Sequence, residues 1–412
     1  VSEAARHGQD TRFFIGYAMA LAGGTIAYTP LLAILLPMQV ASLAGDEARV
    51  AWLAYLTFAG ALAASFAGIG AGWLSDRMKA RPPLIIAGLA VSSLALAGFG
   101  WTASFGGLLM LLIGWQLGLN LMLAPLMAWA GDCVPDHQKG RLGGWLALAP
   151  AAGALATTLV TWPGLASPAG RLWLVIGLTA ALVIAGVWLA RPQPLPLPLV
   201  GRPVAAAPTS GAAALLAIVT SPAVARMWLA RLLVQIAQAA LFAFLYFWLR
   251  ALDDGFDDAA IAQLYTAVLL VSIPVTLLAG RWSDHHARPL APLTLSAVIA
   301  AGGLAVMAVA QETLPAVAGY GVFALAAAVF LALHSAQTLR VLTDPARRAE
   351  HLGWFNLTNT APSLIMPWLT LAVEPAFGFA GLFALLAACT LGAALLLSRL
   401  PHLPGTADQN PA

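Results

Sequence analysis

Apolar residues in this chain gather into long blocks, each bounded by charges or by Pro/Gly turns. Six fall at 13–40, 51–74, 83–101, 105–131, 142–163 and 171–190. Six more fall at 227–249, 259–280, 290–310, 314–339, 352–373 and 377–398. Each is long enough to cross a bilayer core, which takes about 20 helical residues. None alternates over ten residues as a membrane barrel strand does. Lipid offers the backbone no hydrogen-bond partners, so each block must satisfy its own amides and is predicted to be a helix. Pro30, Pro37, Pro150, Pro274 and Pro362 lie inside the blocks and predict kinks or broken turns. Block 13–40 is too long for the core of a cleaved signal peptide and is read as the first span. The expected fold is an all-α polytopic membrane protein with 12 transmembrane helices.

Composition agrees. Of 412 residues, 61% are hydrophobic and 9% charged, and the mean hydropathy is +0.86. Soluble domains carry about 25% charged residues, so a water-soluble enzyme is excluded. The net charge of +3 comes from basic residues spread thinly along the chain, without a nucleic-acid module. Cys133 and Cys389 form no CxxC pattern, so no disulfide scaffold, metal site or cofactor is expected. No cluster of acids, histidines and a nucleophile sits at one depth, so the chain does not read as an intramembrane enzyme.

Basic residues also set orientation. With a cytoplasmic N-terminus, 17 of the 20 Lys and Arg fall inside, and only Arg49, Arg171 and Arg250 fall outside. The acidic group Asp253, Asp254, Asp257 and Asp258 lands outside as well. Both termini are then cytoplasmic. The expected organisation is an N-terminus at 1–12, a six-helix half at 13–190, a linker at 191–226, a second half at 227–399 and a tail at 400–412. The linker opens Arg-Pro-Gln-Pro-Leu-Pro-Leu-Pro, which favours an extended chain, and 211–219 is predicted as a short surface helix.

The halves repeat. Gly72-Trp73-Leu74-Ser75-Asp76-Arg77 follows the second block, and Gly280-Arg281-Trp282-Ser283-Asp284 follows the eighth, 208 residues later. Arg81 and Arg288 extend the two loops, and Leu142-Gly143-Gly144-Trp145 is echoed by Leu352-Gly353-Trp354. Pseudo-symmetric six-helix halves mark a transporter built from parallel repeats. Gly-x-x-x-Asp-Arg between the second and third spans resembles the signature loop of the major facilitator superfamily. The resemblance implies that Asp76 faces the start of the eleventh helix near Leu352, and that Asp284 faces the fifth near Leu142. A carboxylate there would meet orphan N–H groups and the positive end of the helix dipole, latching the cytoplasmic side. Gly72 is read as allowing two helices to approach closely, and Gly280 repeats it. Arg77, Arg81 and Arg288 also satisfy the positive-inside rule. Asp132 and Arg340 end the fourth and tenth spans at the same offset of 208, which reads either as a charge network or as ordinary helix-end solvation.

Polar side chains in mid-membrane face a cavity or a neighbouring helix. The candidate substrate contacts are Tyr28, Gln116, Asn120, Gln235, Gln238, Tyr265, Asn356 and Asn359. Amides supply both donors and acceptors, which suits a neutral or amphipathic solute. No Asp or Glu lies in the middle of a span. His334 is the candidate for proton coupling and reads equally as a neutral packing residue. Arg231 either binds an anionic substrate group or snorkels to the cytoplasmic interface. Two exporter patterns are incomplete. Gly114 stands where such proteins carry an arginine, and Ala149 to Gly153 matches only part of a Gly-Pro-x-x-Gly-Gly run.

The expected protein is a monomeric secondary transporter of the bacterial inner membrane, binding a small organic solute between two rocking halves. A proton-coupled drug or metabolite exporter is the alternative. A non-transporting membrane sensor is the alternative from another class. Solute and lipid bilayer are the expected partners, protons a further candidate, and nucleic acid none.

Overall fold

The computed structural model describes residues 8–45, 48–78, 81–146, 148–192, 222–253, 255–284, 290–341 and 348–400. All regular structure in them is helical. The N-terminal helices are α1 (Thr11–Pro30), α2 (Leu36–Leu43), α3 (Arg49–Met78), α4 (Arg81–Gly98), α5 (Phe105–Cys133), α6 (Lys139–Leu146), α7 (Ala149–Val160) and α8 (Pro168–Leu189). After the linker come α9 (Pro222–Leu252), α10 (Asp258–Asp284), α11 (Ala291–Val309), α12 (Thr313–Val341) and α13 (Arg348–Ser398).

Among the described residues, 11 helices are long and apolar enough to cross a membrane. They match the predicted blocks up to the last two, which arrive as one run, Thr358–Ser398, of 41 residues. Within it Gly378 leaves the helical conformation, at φ 63° and ψ −173°, so α13 is two helical stretches meeting at a kink. That backbone region is essentially reserved for glycine. The first block also differs in detail. Between α1 and α2, Leu31–Leu35 widens into a π-turn in which the Leu36 amide bonds the Leu31 carbonyl. Two residues on, Pro37 has no N–H and its ring would clash with the carbonyl four residues back, and the wider turn absorbs that misfit. The predicted helix at 211–219 lies outside the described residues.

The chain forms two compact units. Residues 1–205 with 256–266 make the first, and 206–255 with 267–412 the second. In the first, α4 packs on α5, α1 on α7 and α8, and α3 on α5. In the second, α9 packs on α13, and α11 on α12 and α13. Gly118 shows how closely α4 and α5 meet: a Cβ there would collide with the Ser92 amide nitrogen. Outward faces are apolar, with Ile69 74%, Leu94 74% and Met110 70% exposed, a surface suited to lipid rather than water. Trp73, Trp101, Trp162 and Trp188 are exposed at or near helix ends, where aromatic rings sit at the membrane–water boundary.

Candidate functional site

In the C-terminal unit α9 runs 31 residues without a glycine, so positions 231, 235 and 238 stay in register along one face. Arg231 and Gln235 are half-buried there. The Arg231 guanidinium donates to Gln235 Oε1 at 3.3 Å, Ser335 Oγ at 3.0 Å and Asn359 Oδ1 at 3.3 Å. Gln235 Nε2 donates to the same Asn359 oxygen at 2.8 Å. Three helices, α9, α12 and α13, thus bring one cation, two amides and a hydroxyl together, and Ser335 and Asn359 are exposed. The guanidinium turns toward Gln235, one turn further from Pro222, rather than back toward the start of its helix. Gln238 is half-buried on the next turn.

His334 neighbours Ser335 but points elsewhere. It is fully buried, its Nε2 lies 2.9 Å from the Met227 carbonyl oxygen, and its ring packs 5.6 Å from that of Phe330. An imidazole N–H donated to that carbonyl fastens α12 to α9. Gln337, one turn on, is also buried, and its Oε1 lacks a partner among the described residues.

In the N-terminal unit Asn120 Nδ2 donates to the Gln116 carbonyl at 2.9 Å and to Gln116 Oε1 at 3.4 Å. Gln116 is buried and Asn120 half-buried. Tyr28 is half-buried two residues before Pro30. Tyr265, also half-buried, lies in the first turns of α10, which belong to this unit. There Thr158 Oγ1 donates to Thr266 Oγ1 at 2.8 Å, Thr266 Oγ1 donates to the Ala154 carbonyl at 2.7 Å, and Arg171 pairs with Asp258 at 2.8 Å. The candidate contacts therefore form separate groups within their units: Gln116 with Asn120, and Gln235 with Asn359. The Asn356 side chain lies outside the described part of the structure.

The repeated loop is organised by Arg81, the first residue of α4. Its guanidinium pairs with Asp76 at 2.9 Å and Asp132 at 2.9 Å, and also bonds the buried Ser75 hydroxyl. The arginine side chain is 13% exposed against 72% for Asp76 and 54% for Asp132, so it is the buried hub that ties the ends of α3, α4 and α5. Asp132 thus has its basic partner within its own unit. Arg77 lies over the Trp73 ring at 5.7 Å. A Cβ at Gly72 or Gly280 would meet nothing within 4 Å, so helix approach is not what either glycine serves among the described residues. The side chains of Asp284, Arg340 and Leu352 and the whole of Arg288 lie outside the described part. The sequence reading passed over Ser335, Ser75 and the Arg171–Asp258 pair. Ser335 carried a signal, being polar within a span and next to His334.

A helical bundle with an apolar outer surface and polar side chains collected within its spans has the build of an integral membrane protein. The family is specific: the chain belongs to the Major Facilitator Superfamily, whose model matches residues 13–342. Solved structures share the fold at low identity. The nucleoside transporter NupG is 12% identical with a TM-score of 0.73, covering 94% of this chain and 98% of its own. The D-xylose-proton symporter is 15% identical with a TM-score of 0.67, covering 95% and 98%. The human organic anion transporter MFSD10 is 17% identical with a TM-score of 0.64, covering 94% and 99%. No curated protein matches the chain.

Proposed function

We propose that this protein is a secondary transporter that carries a small organic solute across the bacterial inner membrane by alternating access. It crosses twelve times in two six-helix halves, 13–190 and 227–399, with both termini cytoplasmic. The 41-residue run Thr358–Ser398 supports the twelfth crossing. At 1.5 Å per residue it measures about 60 Å, twice the hydrocarbon thickness, and it kinks at Gly378. The imbalance of basic residues supports the orientation.

The observation that carries the reading is the convergence of Arg231, Gln235, Ser335 and Asn359 from three helices within the spans. Such a group is costly in a membrane unless it meets a polar ligand. Gln116, Asn120 and Tyr28 are read as the N-terminal half's contacts, with Gln238, Tyr265 and Asn356 completing the set. Asp76, Arg81 and Asp132 with Gly72 and Arg77, and Asp284, Arg288 and Arg340 with Gly280, are read as the gating loops. His334, sealed against the Met227 carbonyl, is read as a fastener rather than a proton carrier.

The test is uptake of radiolabelled sugars, nucleosides, organic acids, amino acids and amphipathic amines into proteoliposomes. One class accumulates in wild type. Gln235→Ala and Asn359→Ala each weaken its apparent affinity about tenfold, the worth of one good hydrogen bond to a polar ligand. Absence of flux for every class, with specific binding retained, would make the protein a sensor instead.

A further inference from the structure

We infer that the solute carries an anionic group, a carboxylate or comparable oxyanion, that docks on Arg231. This rests on the transport reading above and names the class of cargo. Two other half-buried arginines, Arg81 and Arg171, are paired with acids, whereas Arg226 donates to the Arg399 carbonyl at 2.6 Å. Arg81 meets Asp76 and Asp132 at 2.9 Å, and Arg171 meets Asp258 at 2.8 Å. Arg231 has no carboxylate within ion-pair distance among the described residues. Its three partners are all neutral, and two of the three bonds are 3.3 Å long. One of those acceptors, Asn359 Oδ1, is shared with a shorter bond from Gln235 at 2.8 Å.

Position makes the missing counter-charge matter. Arg231 lies nine residues into α9, about 14 Å along its axis from Pro222, in the stretch expected to enter the hydrocarbon core. An arginine at that depth ordinarily pairs with an acid or reaches for the interface. This one is held by Gln235 on the membrane side of its own position, so it is not snorkelling. A guanidinium has five N–H donors in a planar fork, and three are engaged by neutral acceptors, two of them at 3.3 Å. The geometry suits a carboxylate binding two parallel N–H groups. Ser335 and Asn359, exposed beside it, supply neutral contacts for the remainder of the solute.

The experiment uses the purified full chain at pH 7 and matched pairs: benzoate against benzamide, succinate against succinamide, N-acetylglutamate against N-acetylglutamine. At saturation at least one acid raises the melting midpoint by about 2–5 °C, and its amide does not. The shift disappears in Arg231→Gln and survives in part in Arg231→Lys. Without ligand, Arg231→Gln and Arg231→Leu melt at or above wild type, because each removes a charge lacking a counter-ion. Equal shifts by acid and amide, no shift by any acid, or a clearly lower ligand-free midpoint in both variants would each overturn the proposal. Proteoliposome flux separates this failure from that of the transport reading. Uptake of a neutral amide that is unchanged in Arg231→Gln removes the anion and leaves the carrier. Arg231-dependent acid binding without uptake removes the carrier and leaves the anion site.

Discussion

At the scale of single residues, two half-buried arginines, Arg81 and Arg231, are held in opposite ways. Arg81 is locked between two carboxylates and a hydroxyl, a structural arrangement that needs no ligand. Arg81→Gln should therefore lower stability by about 1–2 kcal/mol, since the buried Ser75 hydroxyl and two acids lose their common partner. Thermal melting in detergent checks this, and a midpoint equal to wild type would show the hub to be idle. Arg231 is predicted to behave oppositely, for want of an acid. The sequence marked both arginines. It could not tell them apart, because the difference lies in what Asp132 and Asn359 bring from 51 and 128 residues away. Outside the spans, Asp253 accepts from the Gly255 amide and the Thr313 hydroxyl, both at 2.8 Å, which hold its carboxyl below the usual range.

At the scale of elements, two glycines on α5 give opposite expectations from one substitution. Gly118→Ala places a methyl against the Ser92 backbone and should destabilise by about 1–3 kcal/mol through overpacking. Gly114→Ala meets nothing within 4 Å and should be neutral or stabilise by about 0.5–1 kcal/mol, as removing an interior helix glycine does. Similar melting changes for the two would contradict the close packing of α4 on α5. Gly378→Ala also has open space, yet its positive φ should cost about 1–3 kcal/mol. Most span limits were legible to within a few residues, because hydropathy is a local sum. The π-turn was not. Pro37 was expected to disturb its helix, but how the backbone absorbs the misfit depends on which side has room.

At the scale of the whole molecule, the distribution of basic residues bears on how the chain lies in its membrane. The orientation proposed from basic residues predicts that, after Cys133→Ser and Cys389→Ser, a cysteine at Gly255 reacts with an impermeant maleimide added to intact cells. One at Ala206 in the linker should react only after permeabilisation. The reverse pattern would invert the topology and place the Arg81 hub outside. The three solved folds differ in cargo by their own names, while each aligns over 94–95% of this chain. Cargo must therefore be argued from side chains such as Arg231 and not from the bundle.

What the sequence alone determined was whatever the bilayer demands: helical spans, an apolar exterior, sparing use of charge, and a repeated loop 208 residues apart. Those demands act on each segment separately, so they can be read one segment at a time. Only the tertiary structure decided which polar groups meet. It gave Asp132 to Arg81, sealed His334 against a backbone carbonyl, and gathered Arg231, Gln235, Ser335 and Asn359. Such pairings depend on the rotation and depth of helices far apart in the chain, and a rotation of one residue, about 100°, changes every partner.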